Sequence, residues 1–161
     1  MSKAIVTKKR AEKQMITERE FPAPREKVWQ AWTESDLRDQ WWAPKPWKAA
    51  TESFDFSEGG HWHYSMNGPA GEKIFAWVGY FTIDPKNRIT AEDAFCDATG
   101  KKTPDMPVML WEIEFSDAGV GTKVIVTTTF ASEADMDTIL SMGVEEGFTM
   151  ALDNLEAILT A

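Results

Sequence analysis

Two periodicities alternate along the chain and divide it into helical and extended stretches. "QMITEREF" (14–21) alternates weakly and predicts a first strand. In "PAPREKVWQAWT", Pro24 suits the first position of a helix, and Val28, Trp29 and Trp32 fall on one side at helical spacing. Thr33 and Asp36 match a capping box for a second short helix, with Leu37 and Trp41 one turn apart and Pro44 and Pro46 closing it.

From there the period changes to two. Phe54 and Phe56 alternate with polar residues, and "SEGG" turns the chain. Trp62, Tyr64 and Met66 then face one way while His61, His63 and Ser65 face the other. Further strands are expected at about 72–84, 88–97, 108–116 and 122–130, separated by "NGPAG", "PKN" and "DAGVG" as turn signals. The clearest is "VMLWEIEF", where Met109, Trp111, Ile113 and Phe115 oppose Leu110, Glu112 and Glu114. "DATGKKTPDMP" (97–107) is longer and polar, a flexible loop at one end of the sheet and the expected lid of a site there.

The last segment opens with Ser132 and Asp135 as a capping box and predicts one unbroken helix to about Leu159. Met136, Leu140, Gly143, Gly147, Ala151 and Leu155 trace its buried stripe. Strand, two short helices, six strands and a long helix make an α+β architecture, with a mostly antiparallel sheet and the helices gathered on one face.

The segments "FPAPREKVWQAWTESDLRDQWWAP", "GGHWHYSMNGPAGE", "GYFTIDPKNRI", "DAFCDATG", "MPVMLWEIEF", "GTKVIVTTTF" and "MGVEEGFTMALDNLEAIL" together resemble the activator of Hsp90 ATPase homologue 1-like (AHSA1-like) family. That family lies within the START/Bet v 1-like (SRPBCC) superfamily. The resemblance runs from about residue 14 to 160 and implies a helix-grip fold: a curved antiparallel sheet wrapped around the C-terminal helix, with a largely apolar cavity between them. Residues 1–12 are expected as a flexible N-terminal tail, with Lys8, Lys9 and Arg10 solvated, and 13–161 as a single domain. The family constrains shape better than chemistry, because one fold hosts many functions.

Composition narrows the partners. The net charge of −9 disfavours nucleic acid and anionic membranes, both of which call for a basic surface. Cys96 is the one cysteine, so no intrachain disulfide can form, and a reducing, cytoplasmic setting is expected. No apolar run approaches the roughly 18 residues of a membrane span.

Eight Trp and eight Met raise the question of a pocket. Trp62, Met66, Trp77, Met109 and Trp111 project from strands, Trp42 ends the second helix, and Met142 and Met150 lie on the last helix. A plain core is the ordinary fate of such residues. Gly143 and Gly147, each costing about 1 kcal/mol relative to Ala inside a helix, either bring the helix close to the sheet or leave room for a ligand. The superfamily resemblance adds weight to the second option. Trp29, Trp32 and Trp41 are expected in the core, with Trp42 and Trp47 near an opening. In "RITAEDAFCD", Asp93 shares its face with Ile89, Ala91 and Phe95, which makes it the inward carboxylate, while Glu146 could reach the cavity rim. His61 and His63 read as a pair on the solvent face, and two nitrogens alone make no tight metal site.

The candidate ligand-cavity set is therefore Trp42, Trp62, Met66, Trp77, Asp93, Met109, Trp111, Met142, Gly143, Glu146, Gly147 and Met150, with no metal and no cofactor expected. Three functions fit it. The first is a binding module for a small apolar or aromatic molecule. The second is an enzyme acting on a hydrophobic small molecule in the same cavity, with Asp93 as acid or base. The third is a chaperone-linked interaction module. A second copy of the chain, as a homodimer, and an Hsp90-type chaperone stay open as protein partners.

Overall fold

The computed structural model describes residues 3–161, so the first two residues of the expected tail lie outside it. The described chain forms strands β1 (Ile5–Lys9) and β2 (Gln14–Phe21) and helices α1 (Arg25–Thr33) and α2 (Ser35–Trp41). Strands β3 (Lys48–Asp55), β4 (His61–Asn67), β5 (Lys73–Asp84), β6 (Arg88–Cys96), β7 (Val108–Ala118) and β8 (Gly121–Phe130) follow, then helices α3 (Glu133–Ser141) and α4 (Val144–Leu159). The eight strands make one antiparallel sheet in the order β1-β2-β8-β7-β6-β5-β4-β3. Register shifts between Thr51 and Ser53 and between Tyr80 and Thr82 mark irregularities of the kind that bend strands. The curved sheet holds the helices on its concave side, which is the helix-grip fold.

Period-two patterning decides which side chains face the helices. On β7, Met109, Trp111, Ile113 and Phe115 are buried, while Leu110 and Glu114 are exposed. On β2, the buried Met15, Thr17, Arg19 and Phe21 alternate in the same way. Helix α4 lays Ala151, Leu152, Leu155 and Leu159 onto this face. It is fastened at one side by Asn154 Nδ2, which donates to the carbonyls of Trp41 and Ala43, and at its end by Lys27 Nζ, which donates to the Leu159 carbonyl.

Three expectations are corrected. The last helix is two helices: α3 ends at Ser141, and Gly143 takes the left-handed conformation at φ +85° before α4 begins. Its amide donates to the Leu140 carbonyl, the ending that glycine favours because it has no Cβ to strain. Gly143 therefore terminates a helix instead of lying inside one. The stretch expected as a tail contains β1, an edge strand paired with β2. Lys8 and Arg10 are not simply solvated, for Lys8 forms an ion pair with Glu145 at the start of α4, and Arg10 with Glu133 and Asp137 on α3. Finally, Thr33 caps nothing: its hydroxyl donates back to the Trp29 carbonyl, and Glu34, in extended conformation, separates α1 from α2. The Ser132 cap does form, its Oγ accepting from the Asp135 amide.

Candidate functional site

Between the concave face and the helices lies a cavity of about 330 Å³. Its sheet wall comprises Met15, Tyr64, Met66, Asp93, Met109 and Trp111, among others, and its helical wall includes Trp32, Ile139, Val144, Gly147 and Phe148. Met142 and Ile74 also line it and are 51% and 42% exposed, which places the mouth between the α3–α4 break and the start of β5. Pro44 and Trp47 belong to the same wall. Gly147 lies in the lining beside them, where a Cβ would make an ordinary contact with Pro44 Cγ at 3.6 Å.

Trp42 is the hub of the lining. It sits edge-on to Trp32, Trp41, Trp62, Tyr64 and Phe148 and tilted against Trp111, with ring centroids 5.3 to 6.2 Å apart. Edge-to-face packing of this kind is favoured by the ring quadrupoles and makes a stiff wall. Its Nε1–H donates to Tyr64 Oη at 3.1 Å. Trp42 is thus a buried wall residue rather than one at an opening, while Trp47 is half-buried. Trp41 is core, as expected, whereas Trp32 both packs in the core and reaches the cavity.

The polar part of the site is small. Asp93, on β6, is buried and points inward, paired in register with Val78 and Met109. Its Oδ1 is enclosed and has no hydrogen-bond partner. Desolvation pushes its carboxyl up to about 7, against an opposing pull from the Arg38 guanidinium. Arg38, on α2, is wholly buried: Nε donates to the Trp32 carbonyl at 2.7 Å, and the guanidinium lies over the rings of Trp62 and Trp42 at 4.4 and 5.2 Å. Both Nη atoms and Tyr80 Oη lack a partner in hydrogen-bond geometry, though Arg38 lies close enough to Tyr80 to oppose the rise of its phenol. Burial raises the phenols of Tyr64 and Tyr80, so both are neutral donors at neutral pH.

The other candidates divide by position. Met66, Met109, Trp111, Met142, Gly143 and Gly147 line the cavity with Trp42 and Asp93. Trp62 lies behind the lining, stacked on Tyr64 at 3.8 Å. Glu146 and Met150 are exposed residues of α4 outside the lining. Trp77 is on the opposite face of the sheet, where it stacks on His61 at 4.2 Å and its ring would meet a Cβ at Gly100 within 2.7 Å. The 97–107 loop therefore packs over the convex face and is no lid of the cavity. It also buries His63, whose Nε2 is 3.2 Å from the Asp97 carbonyl, so the histidine pair is only half solvated. Among the described residues, no group of three His, Cys, Asp or Glu side chains is placed to hold a metal.

Arg38 and Tyr64 are the site residues absent from the sequence-derived set. Arg38 could have been found from helical spacing, since it precedes Trp41 and Trp42 by three and four positions and so shares their face.

The family model described as "Activator of Hsp90 ATPase homolog 1-like protein" matches residues 22–160. The chain belongs to that family. Solved structures share the fold closely. A protein from Arthrobacter aurescens is 29% identical, with a TM-score of 0.92 over 97% of this chain and 91% of its own. One from Mycobacterium smegmatis is 28% identical, with a TM-score of 0.91 over 98% and 96%. One from Staphylococcus epidermidis is 30% identical, with a TM-score of 0.84 over 96% and 93%. No curated protein matches the chain. As an AHSA1-like chain it has, among the described residues, no helix long and apolar enough to cross a membrane.

Proposed function

We propose that this AHSA1-like protein binds a small, largely apolar or aromatic molecule in the cavity between sheet and helices. The observation that carries this reading is the cavity itself: about 330 Å³, walled by aromatic and aliphatic side chains around one inward carboxyl group. Small-molecule sites have this composition, apolar walls for affinity and a few polar groups for orientation. The methionines at its wall and mouth are flexible and polarisable, which suits a pocket that adapts to its occupant. The setting we propose is cytoplasmic, in keeping with a buried thiol at Cys96 that burial pushes up to about 11 and so keeps unreactive.

Native mass spectrometry of gently purified protein, followed by a thermal-shift screen of apolar and aromatic compounds, tests the reading. A ligand that raises the Tm of wild type and leaves Gly147→Leu unmoved supports it, since that side chain projects into the space. Equal shifts in both proteins, or no bound mass and no shift across the panel, count against it.

A second reading has one observation in its favour. A carboxyl group that titrates near 7 in an apolar cavity is suited to proton transfer, so Asp93 could act as the acid or base of an enzyme on the same ligand. Turnover lost in Asp93→Asn with ligand binding retained would select it. A chaperone-linked role has only the family description behind it, and pull-down with an Hsp90-type chaperone tests it directly.

A further inference from the structure

The polar groups at the cavity wall restrict what the ligand carries. Asp93 lines the cavity and offers its carboxyl there as an acceptor, its enclosed Oδ1 having no partner from the protein. Tyr64 offers the opposite function: its oxygen already accepts from the Trp42 Nε1–H, which leaves the phenol hydrogen to be donated. Both line the same cavity from strands on either side of β5, Tyr64 opposite its Ala76 and Asp93 opposite its Val78. The ligand group that fits between them must donate to one and accept from the other. A hydroxyl does both, whereas an ammonium group only donates and a carboxylate only accepts.

Charge points the same way. The Arg38 guanidinium is buried behind the wall over Trp42 and Trp62, so a cationic ligand would add a second positive charge beside it. An anionic ligand would meet the Asp93 carboxylate directly in a medium that screens little. Neutrality is favoured on both counts.

Resting on the ligand-binding reading above, we propose that the cavity selects a neutral, largely apolar molecule bearing a hydroxyl group, held by donation to the Asp93 carboxyl and acceptance from the Tyr64 phenol. Asp93 and Tyr64 are then the residues that determine specificity, and the aromatic wall supplies the affinity.

Four probes of one shape test this by equilibrium dialysis or calorimetry: naphthalene, naphthol, the naphthylmethylammonium cation and the naphthoate anion. Wild type should bind naphthol about tenfold more tightly than naphthalene, the scale of one hydrogen bond to a chargeable group, and should bind both ions more weakly than naphthol. Asp93→Leu should bring the naphthol-to-naphthalene ratio to within about threefold while naphthalene still binds. Asp93→Asn, which keeps a carbonyl acceptor and the side-chain volume, should retain most of the preference, and Tyr64→Phe should lose part of it. These two variants carry the test should the leucine protein not fold. Equal binding of naphthol and naphthalene by wild type, an unchanged ratio in folded Asp93→Leu, or a preference for either ion overturns the proposal while the cavity reading stands. Failure of naphthalene and naphthol alike to bind wild type, or binding undiminished in Gly147→Leu, overturns the cavity reading and this proposal with it.

Discussion

Arg19 and Arg38 are both buried, at 4% and 0% exposure, and their surroundings differ in kind. Arg19, on β2, leaves its Nε without a partner but gives one Nη to Asp153 at 2.5 Å and the other to Glu156 at 3.3 Å, both on α4, so its charge is matched and the helix is clamped to the sheet. Arg38 has one hydrogen bond, to a backbone carbonyl, and two aromatic faces, and its Nη atoms are unpartnered. The nearby carboxyl that opposes it, Asp93, forms no ion pair with it and lines the cavity instead. A buried ion pair with good geometry closes a structure, and removing one partner is strongly destabilising. Incompletely satisfied polar groups beside a cavity do the opposite. They lower stability and leave hydrogen-bonding capacity for something that binds.

The largest effect expected from this contrast is at Asp93. Its folded value, about 7 against an ordinary 3.8, means that the native state holds a proton the unfolded chain has released. Stability from this group is therefore full below the unfolded value and is lost as pH rises through the folded one. Asp93→Asn should gain little over wild type at about pH 4 and up to about 4 kcal/mol by about pH 8, after which the difference levels off. Urea unfolding across that range measures it, and a constant difference would refute the titration. Next, Arg19→Met should destabilise by about 3 kcal/mol, because Glu156 is left charged and buried. Arg38→Met should cost only about 1 kcal/mol, since its aliphatic replacement also packs on Trp62 and Trp42 and no close ion pair is broken. Equal losses in chemical denaturation would erase the comparison.

The smallest effects separate the two glycines. Gly143→Ala has open space, with only Glu146 Oε2 near at 3.9 Å, yet should lose about 1 kcal/mol because its backbone is left-handed. Gly147→Ala, in the interior of α4 with an ordinary contact to Pro44, should gain up to about 1 kcal/mol and slightly reduce the cavity. Thermal melts of the two variants should move in opposite directions.

Much of the fold was legible because each strand has one side against the helices and the other outward, so alternation reports the face directly. The inward placement of Asp93, Met109 and Trp111 follows from parity alone within their strands. Parity also places Trp77 outward, against its expected place in the cavity: it alternates with the buried Ala76, Val78 and Tyr80 and pairs with His63, whose side faces out. The α3–α4 break was hidden by an apolar stripe that continues on both sides of Gly143, so periodicity had no interruption to show. Edge strand β1 was missed because Lys8, Lys9 and Arg10 look solvated, and charged edges are how sheets discourage further pairing.

By itself, the order of apolar and polar residues determined strands β2 and β4 to β8, the two short helices after β2, the antiparallel sheet and the inward carboxyl, since these depend on local period and short-range turn chemistry. Only the tertiary structure decided that Arg38 lies behind the tryptophan wall, that the 97–107 loop covers the outer face, and that a cavity remains where α4 meets the sheet. Those outcomes depend on distances between segments far apart in the chain, and on how completely their side chains fill the space between them, which no local pattern encodes.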